Sequence, residues 1–141
     1  MFTILKSGSI SGIEGSVIDV EVDISKGLPG FSIVGLPDSA VKESRERVRT
    51  AIINSGHKFP QNRITINLAP AGIKKEGAGF DLPIAAAIIS SIYSMEPEKI
   101  NRYMIAGELA LNGDIKPVRG VLPLAITAKE SGLSGVIVPA E

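Results

Sequence analysis

The 141-residue sequence contains no cysteine and no tryptophan, a single histidine (His57), and only 4% aromatic residues. Without cysteine there is no disulfide framework, no thiolate nucleophile and no thiolate metal site. One histidine excludes a polyhistidine metal centre and weakens any Ser-His-Asp arrangement. His57 follows the helix-stop residue Gly56 and reads as a packing or surface histidine. With so few rings, several of them inside apolar runs, a stacking platform for single-stranded nucleic acid is not expected. Charge of one sign is missing too, because 15 basic residues balance 15 acidic ones. That balance argues against a free-standing nucleic-acid binder but leaves room for a local basic face. No apolar run approaches the roughly 20 residues of a membrane span, and the first residues lack a secretory-signal layout. A cytoplasmic chain, with no membrane partner, is expected.

What is present is an aliphatic core. The hydrophobic fraction is 44%, dominated by alanine, isoleucine, valine and leucine, and residues 1–141 read as a single domain. Such a composition suits helices packed closely on a sheet. Phe2 to Ile10 reads as an edge strand closed by Ser11-Gly12. In Val17-Ile18-Asp19-Val20-Glu21-Val22-Asp23-Ile24, apolar and acidic residues alternate, the mark of a half-buried strand. Phe31 to Val34 gives a third strand. Asp38 caps a helix running to about Asn54, with Val41, Val48 and Ile52 facing the core. Asp38–Lys42 and Glu43–Arg47 are placed there as acid-first ion pairs. Ile64 to Leu68 is a strand, and Asp81 is expected to cap a buried helix from Leu82 to Ile92. After a helical turn at Pro97 to Asn101, Met104 to Leu111, Asn112-Gly113 and Ile115 read as a hairpin. A helix over Leu122 to Ser131 and a strand over Gly135 to Pro139 complete a mixed α/β order.

Three places offer binding chemistry. The loop Lys74-Lys75-Glu76-Gly77-Ala78-Gly79 combines small residues and two lysines just before a helix, so it can hold an anion. It is equally a solvated turn, and no phosphate-loop motif occurs in the chain. Lys42, Arg45 and Arg49 share one side of their helix, either as contacts for phosphate or an acidic partner, or as an outer face balanced by Asp38, Glu43 and Glu46. Arg119 precedes the last helix and is placed to reach across a cleft. Glu108, in an otherwise apolar strand, either needs partners or faces solvent. No metal-ligand grouping and no nucleophile elbow is present.

Several segments together carry a specific resemblance. Val20-Glu21-Val22-Asp23-Ile24-Ser25-Lys26-Gly27-Leu28-Pro29-Gly30-Phe31 leads to Ile33-Val34-Gly35-Leu36-Pro37-Asp38. Val41 to Arg49, Asn67-Leu68-Ala69-Pro70-Ala71, Lys75-Glu76-Gly77 and Phe80-Asp81-Leu82-Pro83-Ile84-Ala85 follow in order. Gly107-Glu108-Leu109 and Pro117-Val118-Arg119-Gly120-Val121-Leu122-Pro123 complete the set. Over nearly its whole length the sequence resembles the N-terminal domain of the ComM/YifB family of Mg-chelatase-like AAA+ ATPases. The resemblance implies a mixed-sheet, two-layer fold like the Lon proteolytic domain and the GHMP kinases. It also implies an AAA+ module beyond residue 141, using ATP and magnesium, in a homohexamer that drives DNA branch migration during natural transformation. The expected partners are that module and neighbouring subunits, with DNA met through the assembly.

The Lon likeness also addresses catalysis. Lon carries its serine in Asp-Gly-Pro-Ser-Ala-Gly, where this sequence has Glu76-Gly77-Ala78-Gly79-Phe80-Asp81. Lon's lysine closes Gly-Gly-Leu-Lys, which corresponds to Arg119-Gly120-Val121-Leu122. The serine slot is Gly79 and the lysine slot Leu122, so no catalytic residue is expected and this domain needs no cofactor of its own. The alternatives are an active Ser-Lys-type peptidase, or a small-molecule phosphotransferase of related fold.

Overall fold

The computed structural model describes residues 2–11 and 14–140, so Gly12, expected to close the first strand, lies outside them. The elements are β1 (Phe2–Ser11), β2 (Glu14–Ser25), β3 (Gly30–Val34), α1 (Ser39–Asn54), β4 (Arg63–Ala69) and α2 (Asp81–Ile92). They continue as α3 (Pro97–Ile100), β5 (Tyr103–Ile105), β6 (Glu108–Leu109), β7 (Ile115–Lys116), α4 (Val121–Glu130) and β8 (Gly135–Ile137). Six strands make one mixed sheet in the order β3-β4-β2-β1-β5-β8, while β6 and β7 pair separately. The β1–β2 and β2–β4 pairs are antiparallel; the β3–β4, β1–β5 and β5–β8 pairs are parallel. No helix among the described residues is long and apolar enough to cross a membrane.

Period-two patterning decides which face of the sheet is buried. Leu5 on β1, Val20 and Val22 on β2, and Ile64, Ile66 and Leu68 on β4 form one apolar layer. Val41, Val48 and Ile52 of α1 and Ile84, Ala87 and Ile88 of α2 cover it. Each valine, leucine or isoleucine among them contributes about 1.5–3 kcal/mol when withdrawn from water. On the other face a second buried cluster lies beneath α4, where Leu124 and Ala128 meet Met104 and Ala106. Elsewhere on that face lie polar pairs, with Lys6 paired to Asp19 at 2.5 Å and Asn67 donating to Glu21 at 2.8 Å.

Three local expectations need correction. β1 is not an edge strand, because β2 flanks one side and β5, from far along the chain, pairs with the other. The edges are β3 and β8. The run expected as one hairpin from Met104 divides: Tyr103–Ile105 joins the main sheet, and Glu108–Leu109 turns away to meet Ile115–Lys116. Its turn is longer than Asn-Gly, with Ala110 N–H donating to Asp114 O at 2.9 Å and Gly113 N–H to Ala110 O at 3.0 Å. Only Gly113 of the Asn-Gly pair adopts a positive φ, +96°. Finally, Asp38 does not pair with Lys42. Its carboxylate accepts from Val41 N–H at 2.8 Å and Gly77 N–H at 3.1 Å, whereas the Glu43–Arg47 pair forms at 3.7 Å.

Candidate functional site

A cleft of about 730 Å³ opens where the end of β1, the loop before α2, the β5–β6 junction and the approach to α4 converge. Its loop is held from two sides. Towards α1, Lys75 N–H donates to Leu36 O at 3.0 Å, Asp38 N–H donates to Lys75 O at 2.9 Å, and Asp38 receives Gly77 N–H. Towards the sheet, Gly107 N–H donates to Gly79 O at 3.0 Å and Leu82 N–H to Gly107 O at 2.9 Å. The same aspartate therefore starts α1 and fixes the glycine loop. This satisfies helix-terminal and loop amides that would otherwise be orphaned.

The lysines of that loop behave differently from expectation. Lys75 is fully buried, at 0% exposure, and its Nζ donates to the carbonyls of Gly35 and Pro70. Burial lowers the pKa of its ammonium from the usual lysine value. It ties the Ala69-Pro70 turn to the β3–α1 connection and does not reach an external anion. Lys74 is exposed, 3.6 Å from Glu76, and lies outside the cleft lining. Arg119 does line the cleft, together with Asp38, Glu76 and Glu108. Lys74, Lys75 and Arg119 are not gathered into one anion site, and this cleft carries more acid than base. Glu108 is half-buried there.

Gly79 lines the same cleft, and a Cβ placed on it would meet only Val118 Cγ1, at 3.5 Å. Leu122 lies outside the lining, 71% exposed on the first turn of α4. The lining includes one serine, Ser9, and neither lysine nor histidine. Lys42, Arg45 and Arg49 are all exposed on α1, away from the cleft. His57 packs edge-on against Tyr93, with Nδ1 and the phenol oxygen 2.7 Å apart.

Sequence reasoning missed the cluster that joins the two core helices. Asp81 does not cap α2 but is its first residue, and the N-cap Phe80 makes no side-chain cap. It is 0% exposed and receives Ser44 Oγ at 2.5 Å, Arg47 Nε at 2.7 Å and Leu109 N–H at 3.0 Å. The hydrogen bond to Asp81 raises the pKa of Arg47, outweighing the opposing effect of burial. Among the described residues no group of three or more histidine, cysteine, aspartate or glutamate side chains could hold a metal.

Comparison with known proteins agrees with this architecture. Residues 20–141 match the family described as subunit ChlI of Mg-chelatase. YifB of Escherichia coli is 48% identical over 130 residues, covering 92% of this chain and 26% of the relative. The competence protein ComM of Haemophilus influenzae is 41% identical over 128 residues, or 91% of this chain and 25% of the relative. Lon protease 2 of Bacillus subtilis is 32% identical over 145 aligned residues, spanning 90% of this chain and 25% of the relative. The chain thus spans about a quarter of the length of these relatives. A mixed sheet with helices laid over it, together with a family match across most of the sequence, places the chain in the Mg-chelatase ChlI family, among its ComM and YifB members.

Proposed function

We propose that the chain is a non-proteolytic regulatory and assembly domain of a ComM-like hexameric AAA+ ATPase. In this reading a module beyond residue 141 uses ATP and magnesium to drive DNA branch migration in natural transformation. The domain itself neither hydrolyses ATP nor cuts peptides and works in the cytoplasm, contacting its own AAA+ module and neighbouring subunits. DNA is met through the assembled ring.

The observation that carries this reading is the lining of the cleft. Gly79 stands in the slot of a Lon-type serine, and the lysine slot, Leu122, lies outside the lining. Ser9 is there, but an unactivated hydroxyl is a poor nucleophile, and the lining supplies no lysine or histidine to take its proton. The competence name of the Haemophilus relative supports the link to transformation. What remains, Arg119 together with three acidic residues, suits a polar contact with another protein surface.

The test uses the full-length protein. Alanine replacements are made at Lys74 and Arg119 in one variant and at Lys42, Arg45 and Arg49 in another. DNA-stimulated ATP hydrolysis and hexamer formation are then measured. A loss in either variant, with the fold intact, is the expected result. Unchanged values in both would remove the regulatory role, and covalent labelling of a serine by a fluorophosphonate would restore the peptidase alternative.

A further inference from the structure

A second pocket, of about 370 Å³, lies between the start of β3, the middle of α1 and the loop leading into β4. It shares no residue with the cleft. Arg45 and Arg49, four residues apart and so on one side of α1, both line it. Neither forms an ion pair with a carboxylate among the described residues. Arg45 is braced through Nε to Lys42 O at 3.2 Å and Nη1 to Phe31 O at 3.4 Å, which leaves Nη2 unengaged. A guanidinium held in this way keeps the N–H groups of Nη2 free to donate to an oxyanion.

The opposite wall is flat and apolar. Phe31 and Phe59 stack with centroids 5.7 Å apart at 29°, and both half-buried rings line the pocket. Their separation in sequence concealed them, and folding brings together the platform that a sparse aromatic content had seemed to exclude. Beside the rings lie the side chains of Gln61 and Asn62, which offer both donors and acceptors. Cations for phosphate, rings for a base and amides for its edge are the three needs of a nucleotide. The volume is at the lower end for small-molecule sites, roughly 300–1,000 Å³. Glu46, the one carboxylate in the lining, leaves a net charge suited to a single phosphate rather than a triphosphate. An acidic peptide would use the arginines but leave the rings and amides idle.

We infer that this pocket binds one nucleotide unit, its phosphate on Arg45 and Arg49 and its base against Phe31 and Phe59. The unit is either a free nucleoside monophosphate or one link of a single strand. The inference goes beyond the ATPase reading and does not depend on it, because binding is measured with this chain alone.

The test titrates the chain into a fluorescein-labelled oligothymidylate and follows anisotropy, with adenosine monophosphate as the competitor. Displacement by the monophosphate at sub-millimolar concentration assigns the pocket to free nucleotide. Oligonucleotide binding without displacement assigns it to a strand, with a log–log salt slope near about −0.7 for the one phosphate neutralised. Either result supports the inference, provided Arg45→Ala/Arg49→Ala weakens binding about tenfold or more. Phe59→Leu should weaken it several-fold; Gln61→Ala/Asn62→Ala, which removes no core side chain, provides the same reading if Phe59→Leu fails to fold. The inference is overturned if neither probe binds at millimolar concentration, or if the arginine variant binds like the parent. It also fails if the ring and amide variants both bind unchanged, or if polyglutamate displaces the oligonucleotide as well as unlabelled oligothymidylate does.

Discussion

Arg47 reaches from α1 to the head of α2, where its Nε meets Asp81 Oδ2 at 2.7 Å and its Nη2 meets Oδ1 at 3.1 Å. The carboxylate is completely buried, so its charge depends on this two-pronged contact, on Ser44 Oγ and on Leu109 N–H. The cluster locks α1, α2 and β6 into one unit beneath the cleft. Removing one partner of a buried pair strands the other charge, at a cost of about 3–5 kcal/mol.

Asp81→Ala should therefore destabilise the chain by about that amount, measured by urea unfolding. Arg47→Ala should be comparably damaging, because it leaves a buried carboxylate without its cation. The double variant should lose much less than the sum of the two, since neither orphaned charge then remains. Additive losses would show that the pair is not the unit described.

Gly35 governs how closely β3 leaves the sheet. Its φ is +106°, and a Cβ there would lie 2.2 Å from Leu68 O, a backbone atom that cannot swing aside. Gly35 O also receives Lys75 Nζ, so any shift disturbs that contact too. Gly35→Ala should cost about 2 kcal/mol or more, combining strain in a disfavoured region with a backbone clash. A melting temperature within a degree of the parent would refute the close approach.

Lys75 gives a pH signature. Its folded-state pKa is lowered from 10.5 by burial, so between the lowered value and 10.5 the unfolded chain binds more protons than the folded one. The sign follows: the contribution of this group is most favourable above 10.5 and is lost as pH falls through the lowered value. Lys75→Met should remove the accompanying rise in stability on the alkaline side, seen by comparing urea unfolding of variant and parent across that range. It should also be less stable at neutral pH, by about 1–3 kcal/mol for each stranded carbonyl. Parallel pH curves for the two proteins would show that the ammonium is not held as described.

How much of this was legible beforehand depended on the range of the interaction. The alternation in Val17 to Ile24 located β2 and its buried face, and the Asp38 signal located the start of α1, because both are written in neighbouring residues. The position of β1 was not legible, since its second neighbour, β5, is set by pairing across the chain. Lys75 misled because a lysine beside glycines reads as solvated, and only the carbonyls of Gly35 and Pro70 explain its burial. Arg47 was assigned to its local partner Glu43, whereas its principal partner, Asp81, lies 34 residues away. Local patterns cannot rank the two. Gly79 was singled out from motif order alone, and it is one of the residues that line the cleft.

That glycine yields the last prediction. Gly79 is not in the left-handed region, and its nearest obstacle to a Cβ is ordinary contact with Val118 Cγ1 at 3.5 Å. Gly79→Ser should fold with a stability within about 1 kcal/mol of the parent, because it creates neither strain nor overpacking. It should still fail to hydrolyse a fluorogenic casein substrate, and fluorophosphonate labelling should stay at the parental level. The lining holds no lysine or histidine to activate the hydroxyl; Arg119 stays charged and cannot accept its proton, and the other acceptors there are carboxylates, far weaker bases than a Lon-type lysine amine. Adding Leu122→Lys should not rescue activity either, because Leu122 points its exposed side chain from outside the lining. Casein hydrolysis by the double variant would instead show that the two slots are close enough to build a working dyad.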